Sequence, residues 1–380
     1  MKRRDFAIGL GGATLAGVLA PGLGHGEAAG APAAKPVTPT DWPTGELRGD
    51  LIGVERAWNA ATDAAASPVG RSDALVIVQD GKLVFERYGP DHGPNVRHIS
   101  WSMAKSFTQA LIGVAVLDGR VDIDLPLKSI AHPDPKLNLR SLMTLTDGLQ
   151  WDEGSYSPVD SDATKMIYGP GRLNGAAYLA ARPQAHPPGT HWNYSTGAFQ
   201  LAAAELQLHL FPQAVTAQAR RGAMAAWMRQ RLFAPLGMTT ALAEFDASGG
   251  LYGGSLIYAC ARDYARFGEL YRLDGVCNGR RILPEGWVKF AHTPTVEPTY
   301  GAGFWLEAKA GSRPSSLMGG AGPLDAYSAQ GHAGQLVVIV PSKSAVVVRL
   351  GLMNDDDAAW KRLGQWIAPV VDALPDTKAA

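Results

Sequence analysis

The segment that decides the fold reads Ser100-Trp-Ser-Met-Ala-Lys-Ser-Phe107, and it begins a helical pattern. Hydrophobic residues recur at steps of three and four from Met103 to Leu117, which predicts an amphipathic helix. Ser102 and Lys105 would lie on one face of this helix, with roughly 5–6 Å between their Cβ atoms. A serine hydroxyl becomes a nucleophile when a neighbouring base takes its proton, and a lysine that burial keeps uncharged can be that base. The pair is therefore a candidate for nucleophilic catalysis.

A structural role explains the same two residues when the pattern is taken alone. Ser102 at the start of a helix is typical of an N-cap, and Lys105 is typical of a solvated helix residue. Spacings of the Ser-x-x-Lys type also arise by chance in a chain of 380 residues. The catalytic interpretation thus depends on the rest of the sequence.

Strand patterns lie near both ends of the chain, with helical patterns between and outside them. The run Ala74–Val78, the turn Asp80-Gly81 and the run Leu83–Phe85 predict a β-hairpin. Further strands are predicted at residues 301–307, 335–340 and 345–350, and helices at residues 50–66, 261–273 and 358–374. We therefore expect one sheet built from distant segments and covered by helices, with a mostly helical lobe at about residues 110–250. A cleft between the two is the expected place for an active site.

The N-terminus has the features of an export signal. Lys2-Arg-Arg-Asp-Phe6 precedes a weakly apolar, glycine-rich run that ends near Leu23, and this run is too short and interrupted to span a bilayer. Residues 1–31 are therefore predicted as a twin-arginine-type signal peptide, residues 32–46 as a linker and residues 47–375 as the catalytic domain. We expect a periplasmic or secreted protein with no stable membrane anchor; a cytosolic protein is the alternative.

The composition excludes several classes of protein. Lys and Arg together number 35, as do Asp and Glu, so no basic excess favours a nucleic-acid or anionic-membrane partner. The nine histidines are scattered without metal-ligand spacing, and we predict neither a metal nor a cofactor. Cys260 and Cys277 are expected to be separate thiols, with a disulfide as the alternative. Trp151 and Trp305 are expected to pack in the core. The expected partner is a small molecule, and the oligomeric state is not predicted.

Three segments resemble, in chain order, the three motifs of the penicillin-recognising serine hydrolases. They are Ser102-Met-Ala-Lys105, Tyr194-Ser-Thr196 and His332-Ala-Gly334. Flanking segments resemble the class C β-lactamase-like branch that contains esterases and 6-aminohexanoate-dimer hydrolases. These segments are Leu142–Leu149, His186–Thr190, Leu232–Met238 and Ala261–Gly268. The resemblance covers about residues 45–370 and implies an α+β, β-lactamase/transpeptidase-like fold: an antiparallel sheet flanked by helices, with a mostly helical second lobe.

The resemblance also implies catalytic roles. Ser102 would be the acylated nucleophile, and Lys105 either its proton acceptor or the group that keeps its environment basic. Tyr194 would relay the proton to the leaving group and activate water for deacylation. The backbone N–H groups of Ser102 and Gln335 would bind the oxyanion. A phenol of ordinary pKa near 10 is a poor base, so Tyr194 needs neighbours that lower its pKa.

Four further residues are expected to bind the substrate. Gly334 would let it approach the backbone, and Tyr168 lies in a stretch that contributes to the cleft rim in this branch. Thr196 stands where the relatives commonly have asparagine, and His332 stands where β-lactamases have lysine. A histidine of ordinary pKa is mostly neutral at pH 7 and attracts a substrate carboxylate weakly. Both departures favour esters or amides without a carboxylate at that point.

Together these features predict an exported serine hydrolase that cleaves small carboxylic esters or short amides through an acyl-enzyme on Ser102. The nearest alternative is a β-lactamase or D-alanyl-D-alanine carboxypeptidase. A second alternative is a penicillin-binding sensor or peptidoglycan-binding protein that does not turn over.

Overall fold

The structure, a computed structural model, describes residues 42–377 except residues 64–65, 130–133, 135, 155–160 and 313–315. The predicted signal peptide lies outside the described residues, as does most of the predicted linker. The helices are α1 Leu51–Thr62, α2 Met103–Leu117, α3 Leu139–Met143, α4 Asp162–Ile167, α5 Gly175–Ala180, α6 Thr196–Leu210, α7 Ala217–Met228, α8 Ala261–Arg272, α9 Trp287–Ala291 and α10 Asp357–Asp372. The strands are β1 Arg71–Gln79, β2 Lys82–Tyr88, β3 His98–Ile99, β4 Leu242–Ala243, β5 Ile257–Ala259, β6 Val276–Cys277, β7 Arg280–Arg281, β8 Trp305–Leu306, β9 Tyr327–Gly331, β10 Gln335–Val340 and β11 Ala345–Leu352.

The main sheet has six antiparallel strands in the order β2-β1-β11-β10-β9-β8. Alternate residues of each strand face opposite sides. Leu75 and Ile77 face a core that includes residues of α1 and α10, whereas Val76 and Val78 face the core formed with α2 and α8. Hydrophobic side chains thus cover both faces of the sheet. This confirms the predicted α+β, β-lactamase/transpeptidase-like fold.

The predicted hairpin is present, and its turn has the expected chemistry. Asp80 and Gly81 both have positive φ, +51° and +76°, the combination that a two-residue turn of right-handed twist requires. Trp42, at the end of the predicted linker, is instead buried against this hairpin and donates from Nε1 to Gly81 O at 3.0 Å. Leu83 N donates to Pro43 O at 2.8 Å. Trp42 and Pro43 therefore attach this end of the described chain to the hairpin.

Strand β9, next to α2, was not predicted from the sequence. Its residues, Tyr-Ser-Ala-Gln-Gly, are mostly small or polar and lack the β-branched run that marks a strand. The strand predicted at residues 301–307 is reduced to Trp305–Leu306, and the first helix ends at Thr62 rather than Ala66. The presence of β9 matters for the site, because two residues of this strand, Gln330 and Gly331, line the cavity described below.

The region predicted as a mostly helical lobe contains α3 to α7 and the short strand β4. Cys260 and Cys277 are separate thiols, which confirms the favoured prediction. No helix in the described part of the chain is long and apolar enough to cross a membrane.

Helix α10 packs closely against Leu317 through a glycine. A Cβ atom on Gly364 would lie 1.8 Å from Leu317 O, so we expect Gly364→Ala to lower the free energy of unfolding by about 1–3 kcal/mol. Gly222→Ala is the matched control, because Gly222 lies in α7 with no heavy atom within 4 Å of its Cβ position. That variant should gain about 0.5–1 kcal/mol. Urea denaturation measures both, and equal effects would contradict the close packing at Gly364.

Candidate active site

The turn that leads into α2 presents Ser102. Ser100 Oγ accepts from Ile257 N at 3.1 Å and donates to Ser255 O at 3.1 Å, which ties this segment to β5. Trp101 then adopts a positive φ of +44°, an uncommon conformation for a residue with a large side chain. Ser102 occupies the N-cap position of α2, yet its hydroxyl makes no capping hydrogen bond. The structure therefore leaves the Ser102 hydroxyl available for another role.

Lys105 lies beneath Ser102 and is almost completely buried, with 2% of its surface exposed. In its charged form, its Nζ donates to Ser102 Oγ at 3.0 Å, to Thr196 Oγ1 at 2.9 Å and to Gly254 O at 3.1 Å. Burial lowers the pKa of Lys105 to about 8, against the opposing effect of the Glu153 charge. At pH 7 about a tenth of Lys105 is therefore uncharged, and the uncharged amine is the form that a general base requires. The solvated-residue alternative is wrong.

Tyr194 precedes α6 and is brought to the same place from a distant part of the chain. Lys105 Nζ lies 4.7 Å from the centroid of the Tyr194 ring. The Trp305 ring stacks on the Tyr194 ring, and their centroids are 5.6 Å apart. Trp305 was expected in the core; it is half-buried and lines the cavity instead, whereas Trp151 is buried as expected.

A cavity of about 990 Å³ opens above Ser102 and Tyr194. Its apolar wall comes from Trp305, Leu306, Leu317, Met318 and Trp360. Its charged lining residues are Asp355, Asp356, Asp357 and Lys361. Among the residues that the structure describes, acidic groups thus outnumber basic ones around this cavity. Such a field opposes the entry of anionic ligands.

His332, in the third predicted motif, lies on the wall of this cavity. Its Nδ1 is 2.6 Å from Asp355 Oδ2, and Trp360 Nε1 donates to Asp355 Oδ1 at 2.6 Å. Burial opposes the ionisation of Asp355, but these hydrogen bonds and the His332 ring hold the pKa of its carboxyl below the ordinary value. The carboxylate therefore orients the imidazole.

The structure corrects the placement of Gly334 and Gln335. The chain reverses at residues 332–334, where Ala333 and Gly334 have φ of +60° and +87°, so Gln335 begins β10, one strand further from α2 than β9. Gln335 is buried, and its side chain donates to Gly351 O at 2.6 Å. The lining residues from this region are Gln330, Gly331 and His332. Gln335, where the resemblance implies an oxyanion donor, is not among them.

Thr196 and Tyr168 also lie elsewhere than predicted. Thr196 is buried behind Lys105 and absent from the residues that line the cavity, so it contacts the base rather than a substrate. Tyr168 is the residue that follows α4. It is 61% exposed and interacts electrostatically with Glu244. It too is absent from the cavity lining.

Two carboxylates at the site were missed in the sequence. Glu153 is buried and bonds to Thr196, and Asp355 bonds to His332. Helix or strand periodicity does not predict either carboxylate, because Glu153 and Thr196, like Asp355 and His332, lie more than 20 residues apart in the sequence. The signal present is weak: Glu153 directly follows Trp151-Asp152, and Asp355 begins an Asp-Asp-Asp run.

The fold brings together one group of residues with metal-ligand chemistry in the described part of the chain: Asp73, His92 and His98. His92 Nδ1 and His98 Nε2 lie 3.5 and 3.6 Å from the Asp73 carboxylate. That carboxylate already accepts two hydrogen bonds from Arg71, and His92 Nδ1 lies 2.9 Å from Pro90 O. An ion pair explains this cluster, which is not part of the Ser102 cavity lining.

A serine at the start of a helix, a buried lysine one turn later and an antiparallel sheet define a serine hydrolase with the β-lactamase/transpeptidase-like fold. The chain belongs to the Beta-lactamase family, whose model matches residues 62–368.

The comparisons with individual proteins agree with this assignment. The chain is 22% identical over 303 residues to the 6-aminohexanoate-dimer hydrolase of Paenarthrobacter ureafaciens, covering 75% of this chain and 74% of that one. It shares its fold with a candidate 6-aminohexanoate-dimer hydrolase from Bacillus anthracis (TM-score 0.66, 20% identity, 90% and 91% of the two chains). It also shares its fold with the D-amino acid amidase of Ochrobactrum anthropi (TM-score 0.60, 17% identity, 84% and 98%).

Proposed function

We propose that this protein is an exported hydrolase that cleaves small carboxylic esters or short linear amides through an acyl-enzyme on Ser102. The observation that carries the proposal is the 3.0 Å hydrogen bond between Lys105 Nζ and Ser102 Oγ, at the edge of an open cavity. A nucleophile and a buried base within hydrogen-bond distance meet the geometric requirement for activation.

The reaction proceeds in two balanced steps. Lys105 takes the Ser102 proton as Oγ attacks the substrate carbonyl, and the proton passes by way of Tyr194 to the leaving alcohol or amine as the bond to it breaks. Water then attacks the acyl-enzyme, giving its proton to the same base and releasing the acid and the Ser102 hydroxyl. The oxyanion faces the N–H of Ser102 and the Gly331–His332 segment, which lies at the end of β9 and lines the cavity.

The cavity lining favours a neutral or cationic substrate with an apolar acyl group. The tryptophans and aliphatic side chains bind hydrocarbon, and the run Asp355–Asp357 repels a carboxylate. The names of the similar proteins include a hydrolase of an aminohexanoate dimer and an amidase, which supports including amides. The acidic lining disfavours β-lactams and peptides ending in D-alanine, since both carry a carboxylate.

Export is proposed from residues 1–31, whose paired Arg3-Arg4 and weakly apolar run support a twin-arginine signal. Fractionation of cells that express the full chain tests this, because a wholly cytoplasmic protein would contradict it.

A two-substrate assay tests the proposed reaction. We expect steady turnover of p-nitrophenyl butyrate, with kcat/KM at least about tenfold above that for a chromogenic cephalosporin, as expected for about 1.4 kcal/mol of unfavourable charge interaction. Faster turnover of the cephalosporin would favour the β-lactamase or carboxypeptidase alternative. A single stoichiometric burst with no steady state would favour the sensor.

A further inference from the structure

Glu153 forms the centre of a buried hydrogen-bond network behind Lys105. It is 7% exposed. Its Oε2 accepts from Trp151 Nε1 and from Thr196 N, both at 2.7 Å, and its Oε1 accepts from Thr196 Oγ1 at 2.5 Å. An ionised carboxylate has no proton to donate, so every hydrogen bond in this network points toward it.

The direction of these bonds determines how Lys105 can bond. The single hydroxyl proton of Thr196 is given to Glu153, so Thr196 Oγ1 can only accept from Lys105 Nζ. Gly254 O, a carbonyl, can also only accept. An uncharged amine has two N–H groups and one lone pair, and Thr196 and Gly254 take both N–H groups. The lone pair is therefore left for the third partner, the hydroxyl of Ser102.

We propose that Glu153 is a positioning residue that acts through the Thr196 hydroxyl to direct the lone pair of Lys105 at Ser102. This inference rests on the proposed function, because it assigns a task to a neighbour of the proposed base. The network also explains how Thr196 can stand in place of the asparagine of the second motif. Because the Thr196 hydroxyl gives its proton to Glu153, its oxygen accepts a hydrogen bond from Lys105. The charge of Glu153 additionally opposes the burial that lowers the pKa of Lys105.

Glu153→Gln tests the direction of the network with little change in shape. The new amide can keep its oxygen toward Trp151 and Thr196 N, and its NH₂ then faces Thr196 Oγ1. Thr196 must accept from that NH₂ and turns its own proton toward Lys105, where it occupies the lone pair. We expect maximal kcat/KM for p-nitrophenyl butyrate to fall at least about tenfold. The acid limb of its pH profile should move down by roughly one pH unit, because the charge that raises the pKa of Lys105 is gone.

Thr196 variants test whether the effect passes through its hydroxyl. Thr196→Ser keeps the hydroxyl and should retain nearly the wild-type profile, whereas Thr196→Val should lose rate. Adding Glu153→Gln to Thr196→Val should lower the maximal rate little further, since the two residues act as a unit. If Glu153→Gln does not fold, the contrast between the serine and valine variants still tests the network.

Asp147→Asn is the matched control, because Asp147 is also a buried carboxylate and its Oδ1 accepts from Leu149 N rather than from Thr196. We expect that variant to change stability without moving the acid limb. The rate at which a fluorophosphonate probe labels Ser102 gives a second readout. Absence of both labelling and turnover in the wild type would refute the proposed function. A wild-type protein that labels normally, with an unchanged profile in Glu153→Gln, would refute this inference alone.

Discussion

Ser102→Ala should abolish turnover of p-nitrophenyl butyrate, with a loss in kcat of about 10⁴- to 10⁶-fold, comparable to removal of other serine nucleophiles. The substitution removes the oxygen that attacks the carbonyl and the acceptor of one Lys105 hydrogen bond. It leaves the turn at Ser100–Trp101 intact, since that turn is held by the side chain of Ser100. The purified variant should therefore unfold close to the wild-type temperature.

Labelling by a fluorophosphonate separates the nucleophile from other serines at the site. The wild type should react at one position and Ser102→Ala should not. Ser316 is the control, because it lines the same cavity and its hydroxyl donates to Glu307 at 2.7 Å. Ser316→Ala should label normally. Equal labelling of the wild type and Ser102→Ala would mean that another residue is the nucleophile.

Lys105→Met should lower kcat/KM by about 10²- to 10⁴-fold, the usual contribution of a general base. Methionine resembles lysine in shape, so the loss follows from the missing amine rather than from a cavity. Removing a buried amine leaves Thr196 Oγ1 and Gly254 O without their donor, which costs stability by about 1–3 kcal/mol for each unsatisfied group. Thermal unfolding should show a lower midpoint with a single transition.

The pH profile distinguishes loss of the base from a general disturbance of the site. In the wild type, kcat/KM should rise with pH as Lys105 loses its proton, with a midpoint near the pKa of about 8. Below that pH the ammonium cannot accept the Ser102 proton. Lys105→Met should have no such limb in its residual activity. A profile with the wild-type midpoint in this variant would show that another group is the base.

The local elements of this protein were readable from its sequence because their information is local. The Asp80-Gly81 turn predicts its own hairpin, and the spacing from Met103 to Leu117 predicts α2 and places Ser102 and Lys105 on one face. The three-motif resemblance identified the family and the fold. The same resemblance assigned Tyr194 to the site. The periodicity of a single helix or strand could not make that assignment, because Tyr194 lies far from Ser102 in the sequence.

The wall of the cavity was less predictable. The Tyr-Ser-Ala-Gln-Gly segment has little hydrophobic signal, and it becomes a strand because β8 and β10 supply hydrogen-bond partners on both sides. Gly331 and His332, at the end of this segment, therefore line the cavity, whereas Gln335 does not.

By itself, the sequence determined the family and the helical turn that joins Ser102, the proposed nucleophile, to Lys105, since these depend on spacings of a few residues. Only the tertiary structure decided that Lys105 is buried and that its hydrogen bond to Thr196 continues to Glu153. The physical reason is distance along the chain: Lys105 and Thr196 are 91 residues apart. Neither desolvation nor the direction of a hydrogen bond exists until packing brings such residues together.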